Sequence, residues 1–139
     1  MQHLDHAMQI AMDAHDGQTD KTGQPFIEHC QRVALLVSGD EARTVAYLHD
    51  VAEKGSGWTL DRLREEGFPP TIISAVDALT QRPDEPDEEF VRRAAANRLA
   101  LPVKRADLED NLRQAEQIGK NKEKYQRGLD LLRDIENGE

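Results

Sequence analysis

Apolar residues recur at helical spacing along almost the whole sequence, and glycine or proline interrupts the recurrence at short intervals. No segment shows the sustained alternation of apolar and polar residues that is typical of a half-buried strand. The sequence therefore predicts an all-α fold, a bundle of about seven or eight helices. The predicted helices cover residues 2–15, 25–38, 41–54, 59–66, 70–80, 87–100, 102–118 and about 120–136.

Residues with strong positional preferences support several of these boundaries. Asp40 and Thr59 are suited to cap the helices that follow them, and Gly39 and Gly55 are suited to end helices. The segment "QRPDEPDE" is rich in proline and acid and predicts a loop. The last predicted helix is charged on most faces, so we expect it to pack loosely.

Size and charge limit the classes of protein to which this chain can belong. With 139 residues the chain predicts one domain, residues 1–139, with a single core. No apolar run approaches the length of a membrane span, and the N-terminus lacks the pattern of a signal peptide, so we expect a cytoplasmic location. The net charge of −9 argues against nucleic acid or an anionic membrane as partner. The lone Cys30 excludes an internal disulfide and is expected to be a small buried hydrophobe.

Charged residues interrupt an otherwise buried helical face in "AYLHDVAEK". His49, Asp50 and Glu53 lie among apolar neighbours, and burying such groups is costly unless something binds them. In a continuous helix His49 and Glu53 share a face, while His49 and Asp50 diverge by about 100°. Two adjacent ligands splayed in this way can hold one ion from two sides.

A metal site needs further ligands, and two candidates are available. His29 is central in "FIEHCQRVA", and Asp107 is central in "PVKRADLEDNL". Imidazole nitrogen and carboxylate oxygen without thiolate suit manganese, iron or another divalent first-row metal. Taken singly, these residues fit a hydrogen-bonded core histidine and salt-bridged carboxylates equally well, so spacing alone leaves both interpretations open.

Four blocks of sequence carry a family resemblance. "AHDGQTDKTGQPFIEHCQRVALLV", "AYLHDVAEK", "VDALTQR" and "LPVKRADLEDNLR" follow one another within residues 14–113. In order and separation they resemble the HD-superfamily phosphohydrolases, specifically the RelA/SpoT-type hydrolase domain and its small stand-alone relatives. The resemblance implies an all-helical domain that binds one divalent metal, typically manganese.

The resemblance also implies roles for individual residues. The metal ligands are His29, His49, Asp50 and Asp107. The resemblance further implies that Glu53 positions or activates the attacking water and that Asn111 orients a ligand or touches substrate.

Phosphate esters require positive charge near the transferring group, which an acidic chain must supply locally. Lys21, Lys54 and Lys104, with the neighbouring Arg105, are the candidates, and a solvated surface position is the alternative for each.

Two positions depart from the family pattern. Asp20 replaces an arginine that usually packs on guanine, and we expect its carboxylate to repel phosphate. Lys54 replaces a second acidic residue. We therefore expect a hydrolase acting on a phosphate or pyrophosphate ester of a nucleotide, with guanosine 3′,5′-bis(diphosphate) as the best substrate and its 3′ pyrophosphate as the leaving group. The alternatives are a phosphohydrolase of another nucleotide or a dinucleotide cofactor, and a regulatory module that binds metal or nucleotide without turnover.

Overall fold

A computed structural model describes residues 2–55 and 57–138, and the fold that they form is all-helical, which confirms the predicted class. Outside the helices, the described residues form an isolated antiparallel bridge between Thr19 and Pro25. The helices of the described residues are α1 (Gln2–Ala14), α2 (Phe26–Leu35), α3 (Asp40–Leu48), α4 (Val51–Lys54), α5 (Leu60–Glu65), α6 (Pro70–Ala78), α7 (Asp87–Ala95), α8 (Ala100–Gln117) and α9 (Glu123–Glu136).

The predicted helix over residues 41–54 is interrupted, so its continuity was predicted wrongly. The chain leaves the helix after Leu48 and begins the short α4 at Val51. Asp50 has φ −105° and ψ 1°, which lies in the sparsely occupied region between helix and strand. His49 and Asp50 therefore project from a bend between two helices and not from one helix face.

The main core is built around α3, which packs against α1, α2, α6 and α8. Valine and leucine side chains with no exposed surface come from these helices, and each contributes about 1.5–3 kcal/mol of hydrophobic burial. Cys30 of α2 is also completely buried, as the sequence predicted. Because α3 is central, its C-terminal end brings the bend at His49 and Asp50 to a position between α2 and α8.

The last helix packs against α7 and α8, so the expectation of loose packing was wrong. Leu132 of α9 is 1% exposed, and Gly128 lies so close to Leu108 that an added Cβ would be 3.0 Å from both of its Cδ atoms. Tyr125, Gly128 and Leu132 follow helical spacing and share one face, which the many charges around them concealed in the sequence.

Within residues 2–55 and 57–138, no helix is both long enough and apolar enough to cross a membrane.

Candidate metal centre

Four side chains converge where α2, α8 and the bend after α3 meet. They are His29, His49, Asp50 and Asp107, and each offers one ligand atom within 4.8 Å of the others. Nε2 of His29 lies 3.1 Å from Oδ1 of Asp107, and Nε2 of His49 lies 3.2 Å from the same oxygen. The four residues named from the sequence as metal ligands thus form one compact group.

Hydrogen bonds on the far side of both imidazoles fix which ring nitrogen carries the hydrogen. Nδ1 of His49 lies 2.6 Å from the carbonyl oxygen of Ala46, which can only accept, so this nitrogen is the donor. Nδ1 of His29 donates in the same way to Oδ2 of Asp110 at 2.7 Å. In the neutral rings both Nε2 atoms are therefore acceptors that face the carboxylates, an arrangement that is relieved by a proton on Nε2 or by a metal ion between them.

One carboxylate oxygen in this group lacks a hydrogen-bond partner within the part of the chain that the structure describes. Oδ2 of Asp50 is buried and has no hydrogen-bond partner among the described residues, although Nε2 of His49 is 3.1 Å away. Leaving a buried carboxylate oxygen unpaired is costly, and coordination to a divalent cation removes that cost. The nitrogen and oxygen donors match the preference of a first-row divalent metal, so the residues fit such an ion.

The pKa shifts of His49 and Asp107 also show that the cluster favours a positive charge. Burial lowers the pKa of His49, but the neighbouring carboxylates of Asp50 and Asp107 outweigh burial and raise it well above its usual value. Burial raises the pKa of Asp107, but the hydrogen bonds and charges of the two histidines hold it well below its usual value. The cluster attracts a positive charge, which a proton or a metal ion can supply.

Comparison with known proteins places the chain in a family. A sequence model described as the HD domain matches residues 7–120. The chain belongs to the HD domain family. This assignment agrees with the resemblance that the four sequence blocks indicated.

Two relatives of this HD domain are informative. The guanosine-3′,5′-bis(diphosphate) 3′-pyrophosphohydrolase of Haemophilus influenzae is 37% identical over 76 residues, which cover 52% of the present chain and 11% of that protein. The chain therefore corresponds to a small part of that relative. A solved structure of a metazoan ortholog of SpoT, described as hydrolysing ppGpp and as acting in starvation responses, has a TM-score of 0.77 at 23% identity. That match covers 96% of this chain and 86% of the other, and it supports the fold.

A cleft of about 540 Å³ lies beside the cluster in this HD domain. His49, Asp50 and Asp107 form part of its wall, and Glu53 of α4 lies on the same wall. The structure also places on this cleft all four residues that the sequence suggested for substrate binding: Lys21, Lys54, Lys104 and Asn111.

Two of these lysines are close to the carboxylates of the cluster. Lys104 is 7% exposed, with Nζ 3.8 Å from Oδ2 of Asp107 and 4.1 Å from the centre of the Phe90 ring, so the alternative of a solvated surface cation is wrong for it. Lys54 is half-exposed, and the Asp50 carboxylate 3.9 Å from its Nζ raises its pKa. Arg105, by contrast, pairs with Glu136 and does not line the cleft.

Asn111 and Lys21 are linked at the cleft wall. Nδ2 of Asn111 donates to Oδ1 of Asp107 at 3.0 Å, so Asn111 orients a carboxylate of the cluster. Nζ of Lys21 donates to Oδ1 of Asn111 and lies 5.0 Å from the centre of the Tyr125 ring. Glu53 is exposed to the cleft, and its Oε1 accepts a hydrogen bond from the backbone N–H of Gln81 at 3.2 Å.

The expectation that Asp20 repels phosphate was wrong. Its side chain is only 1% exposed, and Oδ2 accepts a hydrogen bond from Nη2 of Arg32 at 3.0 Å. Oδ1 accepts from the backbone N–H and the hydroxyl of Thr22 at 2.9 and 2.7 Å. Burial raises the pKa of Asp20, but these hydrogen bonds outweigh it and lower that pKa. Asp20 therefore shapes its own loop, and the guanidinium offsets its charge.

Several residues in and behind the cleft were not identified from the sequence. Lys124, Tyr125 and Arg127 of α9 line the cleft, because α9 packs against the bundle. Asp110 and Gln114 lie behind His29 and follow Asp107 by three and seven residues on α8. That helical spacing was the available signal, since it places all three polar side chains on one face of α8.

Proposed function

We propose that this HD domain is a metal-dependent phosphohydrolase that cleaves a phosphate or pyrophosphate ester of a nucleotide. The observation that carries the proposal is the convergence of two imidazole Nε2 acceptors on buried carboxylates beside a lysine-lined cleft. His29, His49, Asp50 and Asp107 would hold one divalent ion. Manganese is our choice because the donor set contains imidazole and carboxylate and no thiolate.

The chemistry divides between the ion and the chain. When bound, a divalent ion lowers the pKa of a water molecule and offsets negative charge on a phosphoryl oxygen. Glu53 faces the cleft as a carboxylate and would accept the proton of the attacking water, a role usually worth about 10²–10⁴ in rate. The Gln81 N–H that donates to Glu53 restricts where this carboxylate can lie.

The lysines would bind the phosphate groups. Lys21, Lys54 and Lys104 line one cleft and bring three positive charges to an acidic chain. Charges held in place before the reaction stabilise the added negative charge of the transition state without rearrangement. Asn111 would keep Asp107 in position and add a polar contact for the substrate.

Guanosine 3′,5′-bis(diphosphate), losing its 3′ pyrophosphate, is the substrate that we propose first. The stated activities of the Haemophilus influenzae protein and of the metazoan ortholog support it, and the cleft of about 540 Å³ has the size of a small-molecule site. A different nucleotide or a dinucleotide cofactor is the second candidate. Asp20, which stands where the alarmone hydrolases usually carry a guanine-stacking arginine, is turned toward Arg32, and Lys54 adds a cation where they usually carry an acid.

One experiment separates these candidates. Purified protein with Mn²⁺ is incubated with guanosine and adenosine 3′,5′-bis(diphosphates), with simple nucleoside polyphosphates and with phosphorylated dinucleotides. Released phosphate and pyrophosphate are measured by ion chromatography. We expect release that stops on chelation and that shows weaker base discrimination than a typical alarmone hydrolase. Tight Mn²⁺ binding without release from any compound would contradict the enzyme proposal and favour a regulatory module.

A further inference from the structure

A buried carboxylate lies directly behind the candidate metal centre. The side chain of Asp110 is 1% exposed, and both of its oxygens accept short hydrogen bonds. Oδ2 accepts from Nδ1 of His29 and from Nε2 of Gln114, each at 2.7 Å, and Oδ1 accepts from Nε of Arg32 at 2.6 Å. Besides a longer contact from Nη2 of Arg113 to Oδ1 at 3.3 Å, the same carboxylate thus holds one proposed metal ligand and the side chains of Arg32 and Gln114.

Those two side chains continue to the loop over residues 19–25, which Thr19 and Pro25 close by a β-bridge. Nη2 of Arg32 donates to Oδ2 of Asp20 at 3.0 Å. Oε1 of Gln114 accepts from the backbone N–H of Lys21 at 3.0 Å. Two separate hydrogen-bonded connections therefore run from Asp110 to the 19–25 loop. One of them ends at the backbone of Lys21, whose side chain lines the cleft.

We propose that Asp110 is a positioning residue that serves two parts of the site, the His29 imidazole and the 19–25 loop that carries Lys21. The proposal rests on the proposed metal-dependent function. By accepting from Nδ1, Asp110 keeps the hydrogen on that nitrogen and leaves Nε2 of His29 free to bind a cation. Through Gln114 it holds the backbone of Lys21 at the cleft, and through Arg32 it holds the Asp20 side chain of the same loop.

The chemistry of a carboxylate explains why this position needs one. An ionised carboxylate only accepts hydrogen bonds, and the groups around Asp110 are all donors to it. An asparagine in its place has an amide NH2 that faces one of these donors, so one contact becomes a repulsion. Because the Arg32 guanidinium can only donate, the amide oxygen is favoured on its side and the NH2 faces His29, whose imidazole then changes tautomer so that its Nε2 carries a hydrogen. Loss of such a partner of a metal-bound histidine typically weakens metal binding 10–100-fold.

The test compares Asp110→Asn with a matched variant, Asp20→Asn. The Asp20 variant retains Oδ1 for the Thr22 and Gln24 contacts within the loop, but its amide NH2 faces Arg32, so it breaks the connection through Arg32 and leaves the contact between Gln114 and Lys21 in place. The Mn²⁺ dissociation constant is measured from the electron paramagnetic resonance signal of free Mn²⁺. Binding of guanosine 5′-diphosphate, the nucleotide probe, is measured by equilibrium dialysis.

We expect Asp110→Asn to weaken Mn²⁺ binding 10–100-fold and also to weaken binding of the probe. We expect Asp20→Asn to weaken binding of the probe several-fold, while the Mn²⁺ dissociation constant of this variant stays within twofold of wild type. A purely structural role of Asp110 predicts a lower melting temperature without this division between the two ligands. Mn²⁺ binding within twofold of wild type in folded Asp110→Asn would overturn the proposal, and unchanged probe binding in Asp20→Asn would overturn the part of it that runs through Arg32.

A second variant covers the case in which Asp110→Asn does not fold. Gln114→Met is close in volume and removes both the donor to Asp110 and the acceptor for Lys21. We expect weaker probe binding and weaker Mn²⁺ binding, and wild-type values for both would overturn the proposal. Failure of the proposed function can be distinguished from failure of this proposal, because it appears in the wild-type protein as absence of Mn²⁺ binding or of turnover.

Discussion

His49 donates the hydrogen on Nδ1 to the carbonyl oxygen of Ala46, three residues earlier, over 2.6 Å. This bond forms where α3 ends, so the helix terminus itself sets the tautomer of the imidazole. In the neutral ring Nε2 is then an acceptor that points at Asp50 and Asp107. The backbone of α3 thus orients one proposed ligand of the site independently of any bound cation.

Metal binding should stabilise the fold. The proposed ligands come from α2, α8 and the bend, so an ion that binds only the native state adds about 2.7 kcal/mol at a hundredfold excess over its dissociation constant. For a chain of this size we expect added Mn²⁺ to raise Tm by about 5–10 °C, and chelation to reverse the change. Differential scanning calorimetry measures both. His6→Gln, which alters a histidine beside Phe68 and Glu66, should respond like wild type, whereas His49→Gln should not respond.

Replacing Glu53 should separate chemistry from metal binding. Glu53→Gln keeps the shape but removes the proton acceptor, so we expect turnover to fall by about 10² or more while metal content by elemental analysis persists. Asp50→Ala should lose both. Glu65→Gln, an exposed change on α5 outside the cleft, is the control and should leave turnover unchanged. An intact rate in Glu53→Gln would reduce that residue to a structural role.

Lys104 and Arg105 are neighbours with different surroundings, which makes them a matched pair. Lys104→Met retains the aliphatic stem but removes the charge 3.8 Å from Asp107, so we expect kcat/KM to fall by about tenfold or more. Arg105→Met removes a cation that pairs with Glu136 outside the cleft, and its kcat/KM should stay near wild type. Equal losses in steady-state assays of the two variants would contradict the proposed role of Lys104.

The sequence was sufficient for the helical class and, through the family resemblance, for the four residues of the His/Asp cluster. Apolar spacing identified the helices, and the polar residues within that spacing, His29, His49, Asp50 and Asp107, are those that the fold brings together. The bend at Asp50 could not be predicted, because its φ and ψ depart from the helix at a position with no glycine or proline. Tertiary packing of α3 between α2 and α8 decides that conformation, and local propensity does not record it.

Long-range hydrogen bonds account for most of what the sequence did not reveal. The sequence indicated neither the burial of Asp20 nor that of Asp110, yet both carboxylates are buried because Arg32 bridges them. The bridge joins residues 12 and 78 positions away from Arg32, so no local pattern contains it.

The loop between α6 and α7 should show a pH-dependent contribution to stability. Oε1 and Oε2 of Glu85 accept from Arg93 at 2.8 and 2.9 Å, and hydrogen bonds from this arginine lower the pKa of Glu85 from 4.5 to about 2. Because the folded-state pKa is the lower one, the stabilisation is fully present above pH 4.5 and is lost as the pH falls toward 2. In urea unfolding, Glu85→Gln should cost at most about 1 kcal/mol at pH 7, and this difference should shrink by pH 3.

Two glycines should differ in their tolerance of a methyl group. A Cβ at Gly55 would lie 2.6 Å from the carbonyl oxygen of Val51 and 2.8 Å from Cβ of Ala14, neither of which can turn away. A Cβ at Gly128 would meet only the ends of the Leu108 side chain at 3.0 Å. We expect Gly55→Ala to cost about 1–3 kcal/mol in urea unfolding, and Gly128→Ala to cost less. Similar costs would show that α4 shifts more easily than this packing indicates.

The buried thiol of Cys30 gives the chain its own reporter of helix separation. Cys30 follows His29 on α2, has no exposed surface, and burial raises the pKa of its thiol, so an alkylating reagent can reach it only when α2 moves away from its neighbours. It is also the one cysteine of the sequence, which makes the labelling site unambiguous. A cation that joins α2 to α8 through His29 and Asp107 should slow this alkylation. The labelling rate of the unaltered protein therefore measures how often α2 separates from its neighbours at the site.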